Sequence, residues 1–493
     1  MTPAARRALG ATLSTIALAA LGPAACTAPL PPAQPSATVA PAASTAELPA
    51  AYRYRVDVGA RGEELRVEVD LPRSLSAPSR WAPEAPIIPF IRDVTLTNDG
   101  PARPVPMDSG SWLVPACAAA DACTLRYRVL LRSAARALDD FNFAQDHRGA
   151  LLSPPSSWIV RPLGVHAPFQ LTITAAPGAA FTAGLSRAAP GSDVFVGDVG
   201  NLDDTPYAAF GPLTVTARRL GDATLDVALT PGDLEPATRV SLDAWIDSAA
   251  AAVAAYYGRF PIARASLIVM ITPGGGVGDG HTMGNGGGAV LVSVGGSAPA
   301  ADFKDDWMLV HEMVHLSFPD VNVPWAEEGL ATYLEPIIRA RAGLYSVDAL
   351  WRSFIEGMPQ GQPTPEDGGL DVTDSWGRRY WGGSIFWLLG DLEIRKRTDD
   401  RSSLDDALRA VNRQGGDVSV RWDLDKVLAM ADQAVGLDVL RPLRKRLGGA
   451  PVRVDLDAVW KSLGVSLSRG RVVYDDTAPL AALRRSLTRP TPR

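Results

Sequence analysis

The stretch Trp307-Met308-Leu309-Val310-His311-Glu312-Met313-Val314-His315 constrains this chain more than any other. Wound as a helix of about 3.6 residues per turn, it stacks two histidines on one face, where both imidazoles reach a single ion. Glu312 follows the first of them directly, where it can hold a water at the metal. A His-Glu-x-x-His helix is the pattern of a zinc-dependent hydrolase. With 5 histidines in 493 residues, the pairing is hard to ascribe to chance. The bland alternative is a core helix with two hydrogen-bonded histidines. Zinc, one ion per chain, is the expected occupant.

Two histidines leave such a site incomplete, because a catalytic zinc takes three protein ligands and keeps a fourth position open. Just past Pro324 comes Trp325-Ala326-Glu327-Glu328-Gly329-Leu330-Ala331-Thr332-Tyr333-Leu334. Proline suits the first position of a helix, and Leu330, Leu334 and Ile337/Ile338 recur at the spacing of a buried helix face. Pro336 is expected to kink that helix or end it early. A carboxylate in the first turn can swing onto the metal. Glu327 and Glu328 point about 100° apart, so only one of them is the ligand.

These residues resemble the gluzincin metallopeptidases. His311-Glu312-x-x-His315 followed by a tryptophan-led x-Glu-Gly-x-Ala helix is most similar to the glycyl aminopeptidase family and its relatives of the peptidase MA-like type. The resemblance implies a thermolysin-like catalytic domain. It makes the glutamate before the glycine, Glu328, the third ligand, and leaves Glu327 as a solvated or supporting carboxylate. Downstream, Arg379-Tyr380-Trp381-Gly382-Gly383, running on to Asp391-Leu392-Glu393-Ile394-Arg395, resembles the family's Tyr-x-Lys-Gly helix with its closing acidic-apolar-x-x-Arg pattern. That match implies that the Tyr380 phenol donates to the oxyanion of the transition state. Gly382 stands where lysine is usual. The likeness spans roughly residues 240–465.

What the resemblance implies is a metallopeptidase that hydrolyses peptide or protein substrates with Glu312 as general base and Tyr380 beside it. An aminopeptidase is favoured. The alternatives are an endopeptidase on the same scaffold and an envelope-anchored binding protein without catalysis. In gluzincins the strand before the zinc helix is the sheet edge on which an extended peptide lies. Here the Gly-rich stretch from Pro273 to Gly288 reads as a loop leading into a strand, which assigns substrate binding to Gly286, Gly287, Gly288, Ala289 and Val290. The stretch lacks the Lys-Ser/Thr of a phosphate-binding loop. Asp279 and His281 are its polar residues. The Gly-x-Met-Glu-Asn with which aminopeptidases of the wider clan hold a free amine is not found, and Asp279 is the stand-in.

The rest of the chain places this unit in an exported, multidomain protein. Arg6 and Arg7 precede the apolar run from Ala8 to Gly22 and the small residues Ala24-Ala25-Cys26, so residues 1–26 read as an export signal. Cys26 is lipobox-like, which predicts lipidation there and an outer-membrane lipoprotein. Cleavage without a lipid, giving a free periplasmic form, is the alternative, since Pro23 stands where an aliphatic residue is preferred. The run is too short and too rich in Gly and Ala to span a membrane, so membrane contact is expected only through the lipid. Residues 27–50, almost all Ala, Pro, Ser and Thr, are a tether.

Residues 51–232 alternate apolar and polar side chains, as in Leu65-Arg66-Val67-Glu68-Val69-Asp70-Leu71, and predict an all-β, sandwich-like domain. His147 and His166 read as surface or loop residues. With Cys26 set apart, the remaining two of 3 cysteines, Cys117 and Cys123, are expected to form a disulfide in an oxidising periplasm. The expected fold class is α+β, with this domain followed by the catalytic domain over 235–465. A tail, 466–493, packs one strand, Arg471 to Tyr474, before fraying. A net charge of -6 with no long basic run gives no sign of nucleic-acid binding.

Overall fold

Alternation builds the first sheet. In Tyr52–Val58 every second side chain is buried, and Leu65–Pro72 repeats the pattern beside it. These two strands pair antiparallel, and Tyr52–Val58 runs parallel to Pro168–Ala175 on its other side. Seven strands join this sheet, with Val194–Asp198 at one edge and Arg103–Pro104 at the other. Two four-stranded sheets complete the N-terminal half. Their shared core includes Tyr54, Trp81, Tyr127, Trp158 and Phe169. The computed structural model describes residues 50–490, apart from 60, 61, 76, 99, 118–121, 190 and 204. The export signal, Cys26 and nearly all of the tether lie outside the described residues.

This half is not all-β. Leu131–Leu138 is a helix because Leu131, Ala134 and Ala135 fall at helical spacing on a buried face, and a short helical turn spans Pro155–Trp158. Cys117 and Cys123 are joined by a disulfide. His166 is exposed beside Asp198, whereas the His147 ring lies 3.0 Å from the Ile271 carbonyl.

The second large sheet has the order Thr214–Leu220, Ala223–Leu229, Arg264–Thr272, Ala289–Gly295, Val277–Met283. It therefore begins before the expected boundary at 232, because Leu225, Val227 and Leu229 bury into the helical core of the C-terminal half. The helix Pro236–Tyr257 packs into the same core and stops at Gly258, whose φ of 78° suits a residue without Cβ.

Packing bears on two of the sequence expectations in this half. The helix Pro324–Arg341 runs through Pro336 without ending, since the proline and its neighbours Ile337 and Ile338 are all buried. That burial outweighs the roughly 3 kcal/mol a mid-helix proline costs. The tail does not fray after one strand. Val465–Ser468 and Arg471–Tyr474 form a hairpin, and the helix Ala481–Leu487 follows. Its Leu487 is buried and accepts a 2.9 Å hydrogen bond from Arg341 Nε. The whole is a mixed α/β chain with several sheets.

Candidate active site

The helix Met308–His315 buries Leu309, Val310, Met313 and Val314 in the core, which leaves its other face for His311 and His315. Asp306 accepts from the Leu309 amide at 3.3 Å and from Trp245 Nε1 at 3.0 Å, fixing the helix start. The imidazole centroids lie 5.0 Å apart. After a short loop, Pro324 opens the next helix.

The loop decides between the two glutamates. Glu327 Oε1 accepts from the amides of Val321 and Asn322 at 2.7 and 3.0 Å, so this carboxylate is spent on holding the chain between the helices. Glu328 faces the histidines. Its Oε2 lies 3.2 Å from His311 Nε2 and 3.5 Å from His315 Nε2. One donor atom from each of the three residues falls within 4.8 Å of the others. Ligands of a tetrahedral zinc with bonds of about 2.0–2.1 Å stand about 3.3–3.4 Å apart, so this donor set fits the ion.

The electrostatics follow from that closeness. Burial opposes a charge on His315, yet Glu328 first, and then Glu312 and Glu327, push its pKa up to about 9. Burial likewise opposes the Glu328 carboxylate, but the His315 charge and hydrogen bonds from both imidazoles hold it well below the usual range. Without an ion the three groups compensate one another, and a bound cation must displace a proton.

Tyr380 enters from a π-helical turn, Arg378–Gly382, that leads into the helix Gly383–Arg397. Its ring stacks on His311 at 6.1 Å. Burial, and then the negative charge of the Glu328 carboxylate, keep it protonated far above its ordinary range. What brings Tyr380 to Glu328 is a backbone crossing. A Cβ on Gly383 would lie 2.7 Å from the Cα of Gly329, so neither glycine has room for a side chain. The Asp391 and Arg395 of the acidic-apolar-x-x-Arg pattern do not reach the site. They form a buried ion pair at 2.9 Å, and Tyr333 donates to Asp391 at 2.8 Å, tying the same two helices together at a second level.

The sheet edge is where the sequence reading needs correcting. Ala289–Gly295 has a partner on each side, and the edge strand is Val277–Met283, inside the stretch read as a loop. Gly286, Gly287, Gly288, Ala289 and Val290 do not border the cleft. Gly287 is a glycine because a Cβ there would run into the Gly184 backbone, which accepts the Gly288 amide at 2.9 Å, and a Cβ on Gly288 would press on Leu316 and Val418 at 3.0 Å. Along the edge strand, a Cβ on Gly280 would lie 2.8 Å from Glu312 Cγ, and Thr282 Oγ1 donates to Glu312 Oε2 at 2.7 Å. His281 stacks on Phe141 at 5.3 Å.

These groups line a cleft of about 600 Å³. His311, Glu312, His315, Glu328 and Tyr380 all border it, and so do Asp279 and His281. Trp307 and Trp376 stand at its mouth, 45% and 58% exposed. Trp376 stacks on Tyr380 at 5.1 Å. Val418, whose carbonyl accepts from the Asn285 amide at 2.7 Å, also lines it, and Tyr207 joins the lining from the N-terminal half. Sequence reasoning did not single out Thr282, Trp376, Val418 or Tyr207. Trp376, three residues before the helix-opening segment at Arg379, offered the only signal.

No protein-family model matches the chain, and no curated protein matches it in sequence. Solved structures do match. An aminopeptidase N family protein from Idiomarina loihiensis aligns with a TM-score of 0.63 at 15% identity, over 84% of this chain and 78% of that one. An M1 zinc metallopeptidase from Deinococcus radiodurans aligns with a TM-score of 0.51 at 14% identity, over 82% and 94%. A variant of a two-domain M1 zinc metallopeptidase bound to L-arginine gives the same score and identity, over 82% and 95%. The likeness is one of fold. This chain shares the mixed α/β, several-sheet architecture of two-domain M1 peptidases.

Proposed function

We propose that this chain is a zinc-dependent metallopeptidase of the cell envelope, with Glu312 as general base. The observation that carries the reading is the convergence of His311, His315 and Glu328 at ligand spacing, with Glu312 and Tyr380 on the same cleft. A zinc ion held by those three residues would supply Lewis acidity, polarising a peptide carbonyl and making a nearby water acidic. Glu312, 5% exposed, takes a proton from that water and hands it to the leaving amine. Tyr380, which keeps its own proton, donates a hydrogen bond to the carbonyl oxygen as negative charge grows there. The edge strand Val277–Met283 offers main-chain groups to an extended peptide.

An aminopeptidase is favoured by the fold likeness to aminopeptidase N. An endopeptidase is the second reading. Of the cleft carboxylates, Glu327 is spent on backbone amides and Asp320 is paired with Arg421 at 2.6 Å. Asp279, exposed on the edge strand, is then what remains to meet a substrate amine. The export signal and Cys26 support a periplasmic or outer-membrane location, with a lipid on Cys26 as the anchor.

The test uses protein lacking residues 1–26, with metal analysis followed by cleavage of a mixed peptide library read by mass spectrometry. One zinc per chain is expected, with cleavage that Glu312→Gln abolishes while zinc stays bound. Single residues lost from N-termini assign an aminopeptidase, and internal cuts an endopeptidase. Zinc without Glu312-dependent cleavage overturns the reading in favour of a binding protein.

A further inference from the structure

The Glu312 side chain has to do more than be present. A carboxylate that takes a proton from a water must point one oxygen at it, and a glutamate has three torsions to fix before it does so. Its position in the last turn of a helix does not supply that restraint. The helix ends at His315, and the Leu316 amide, which would reach the Glu312 carbonyl if the helix continued, turns to Val314 instead. Both the carbonyl and the carboxylate of Glu312 therefore depend on another segment.

Thr282 serves both. Its hydroxyl lies 2.9 Å from the Glu312 carbonyl and 2.7 Å from Oε2. Among the described residues, no other side chain hydrogen-bonds this carboxylate. Thr282 is brought there by the edge strand, which can approach because residue 280, two places earlier on the same face, is glycine. A Cβ on Gly280 would press on Met308 Cγ at 2.7 Å and on Glu312 Cγ at 2.8 Å. The strand is held in turn by its antiparallel pairing with Ala289–Gly295, where Thr282 stands opposite Val290.

We propose that Thr282 is a positioning residue for the general base. Its hydroxyl occupies Oε2, fixes the carboxylate rotation and leaves Oε1 for the water. The strand that would receive the peptide thus also aims the group that helps to cleave it. The meaning of Glu312 rests on the peptidase reading above, but the restraint on its side chain does not.

The experiment compares wild-type protein with Thr282→Val, which keeps the volume and β-branching of threonine but cannot donate, and with Thr282→Ser, which can. Crystal structures of the zinc-loaded proteins should show Glu312 in one conformation in the wild type and in Thr282→Ser. In Thr282→Val it should be displaced or split. Peptide cleavage by Thr282→Val should lose about tenfold or more in kcat with KM within about twofold, and Thr282→Ser should recover to within about threefold of wild type. The proposal is overturned if Glu312 keeps its position in Thr282→Val, if kcat is unchanged, or if serine fails to restore it. If the wild type cleaves nothing while Glu312 still moves in Thr282→Val, the peptidase reading fails and the positioning role stands.

Discussion

Gly329→Ala probes the contact that assembles the site from separate helices. Gly329 follows Glu328 on one helix, and Gly383 follows Tyr380 by three residues on another. A Cβ at Gly329 would meet the Cα and carbonyl carbon of Gly383 at under 3.0 Å, where ordinary contact begins at 3.4 Å. The helices must therefore part by about 1 Å before alanine is tolerated. They cannot part freely. Trp387 Nε1 donates to the Ala326 carbonyl at 2.9 Å, and Tyr333 holds Asp391 at 2.8 Å further along. The displacement falls on the start of the second helix, the π-helical turn that carries Tyr380. Overpacking of this kind costs about 1–3 kcal/mol. A catalytic group misplaced by about 1 Å costs about a hundredfold in rate. The three donor residues lie on the other side of the crossing, so zinc should stay bound. The assays are thermal melting, zinc per chain, and kcat on a cleaved peptide. A lower Tm, full zinc and a kcat down about a hundredfold are expected. Wild-type Tm and kcat in Gly329→Ala would refute the claim that this crossing sets the Tyr380–Glu328 spacing.

On the proposed mechanism Tyr380→Phe removes one donor to the developing oxyanion and should lower kcat by about 10²–10³ with KM little changed, measured by steady-state cleavage; an unaltered kcat removes Tyr380 from the mechanism. The adjacent glutamates should separate cleanly. Glu328→Ala loses zinc, while Glu327→Ala keeps zinc but strands the Val321 amide at about 1–3 kcal/mol, seen as a lower Tm. The opposite pattern would exchange their roles. Metal-free protein should show a pH dependence that zinc abolishes. His315 has a folded pKa of about 9 against an unfolded value near 6.5, so folding favours its charged form. That stabilisation is complete below about pH 6.5 and is lost as pH rises through about 9, a change of at most about 3 kcal/mol. Urea melts of chelator-treated protein near pH 6 and pH 10 measure it. Zinc-loaded protein, with both imidazoles neutral as ligands, should not show this loss, and a flat metal-free profile would refute the pairing with Glu328.

Which parts of this site could be read from the sequence depended on how local their geometry is. His311, Glu312 and His315 lie within two turns of one helix, so spacing alone puts the histidines on a common face. By spacing the glutamates were legible only as a pair, and the resemblance chose Glu328; what separates them physically is the loop at Val321 and Asn322, whose path no spacing rule gives. The edge strand was missed for the reason that makes it work. Val277–Met283 carries Gly278 and Gly280, and two glycines in seven residues read as a loop. Those glycines are there because Ser293 and Glu312 occupy the space their side chains would need. A strand pressed this closely against the helix that carries Glu312 must give up the β-branched residues by which strands are recognised. Thr282 is one of two β-branched residues it keeps, with Val277, and stands at a point where the chain returns over a 30-residue separation to meet Glu312. The same logic covers Gly329 and Gly383. Where backbones touch, sequence periodicity goes silent, and in this chain those silent positions stand beside the residues proposed to do the chemistry.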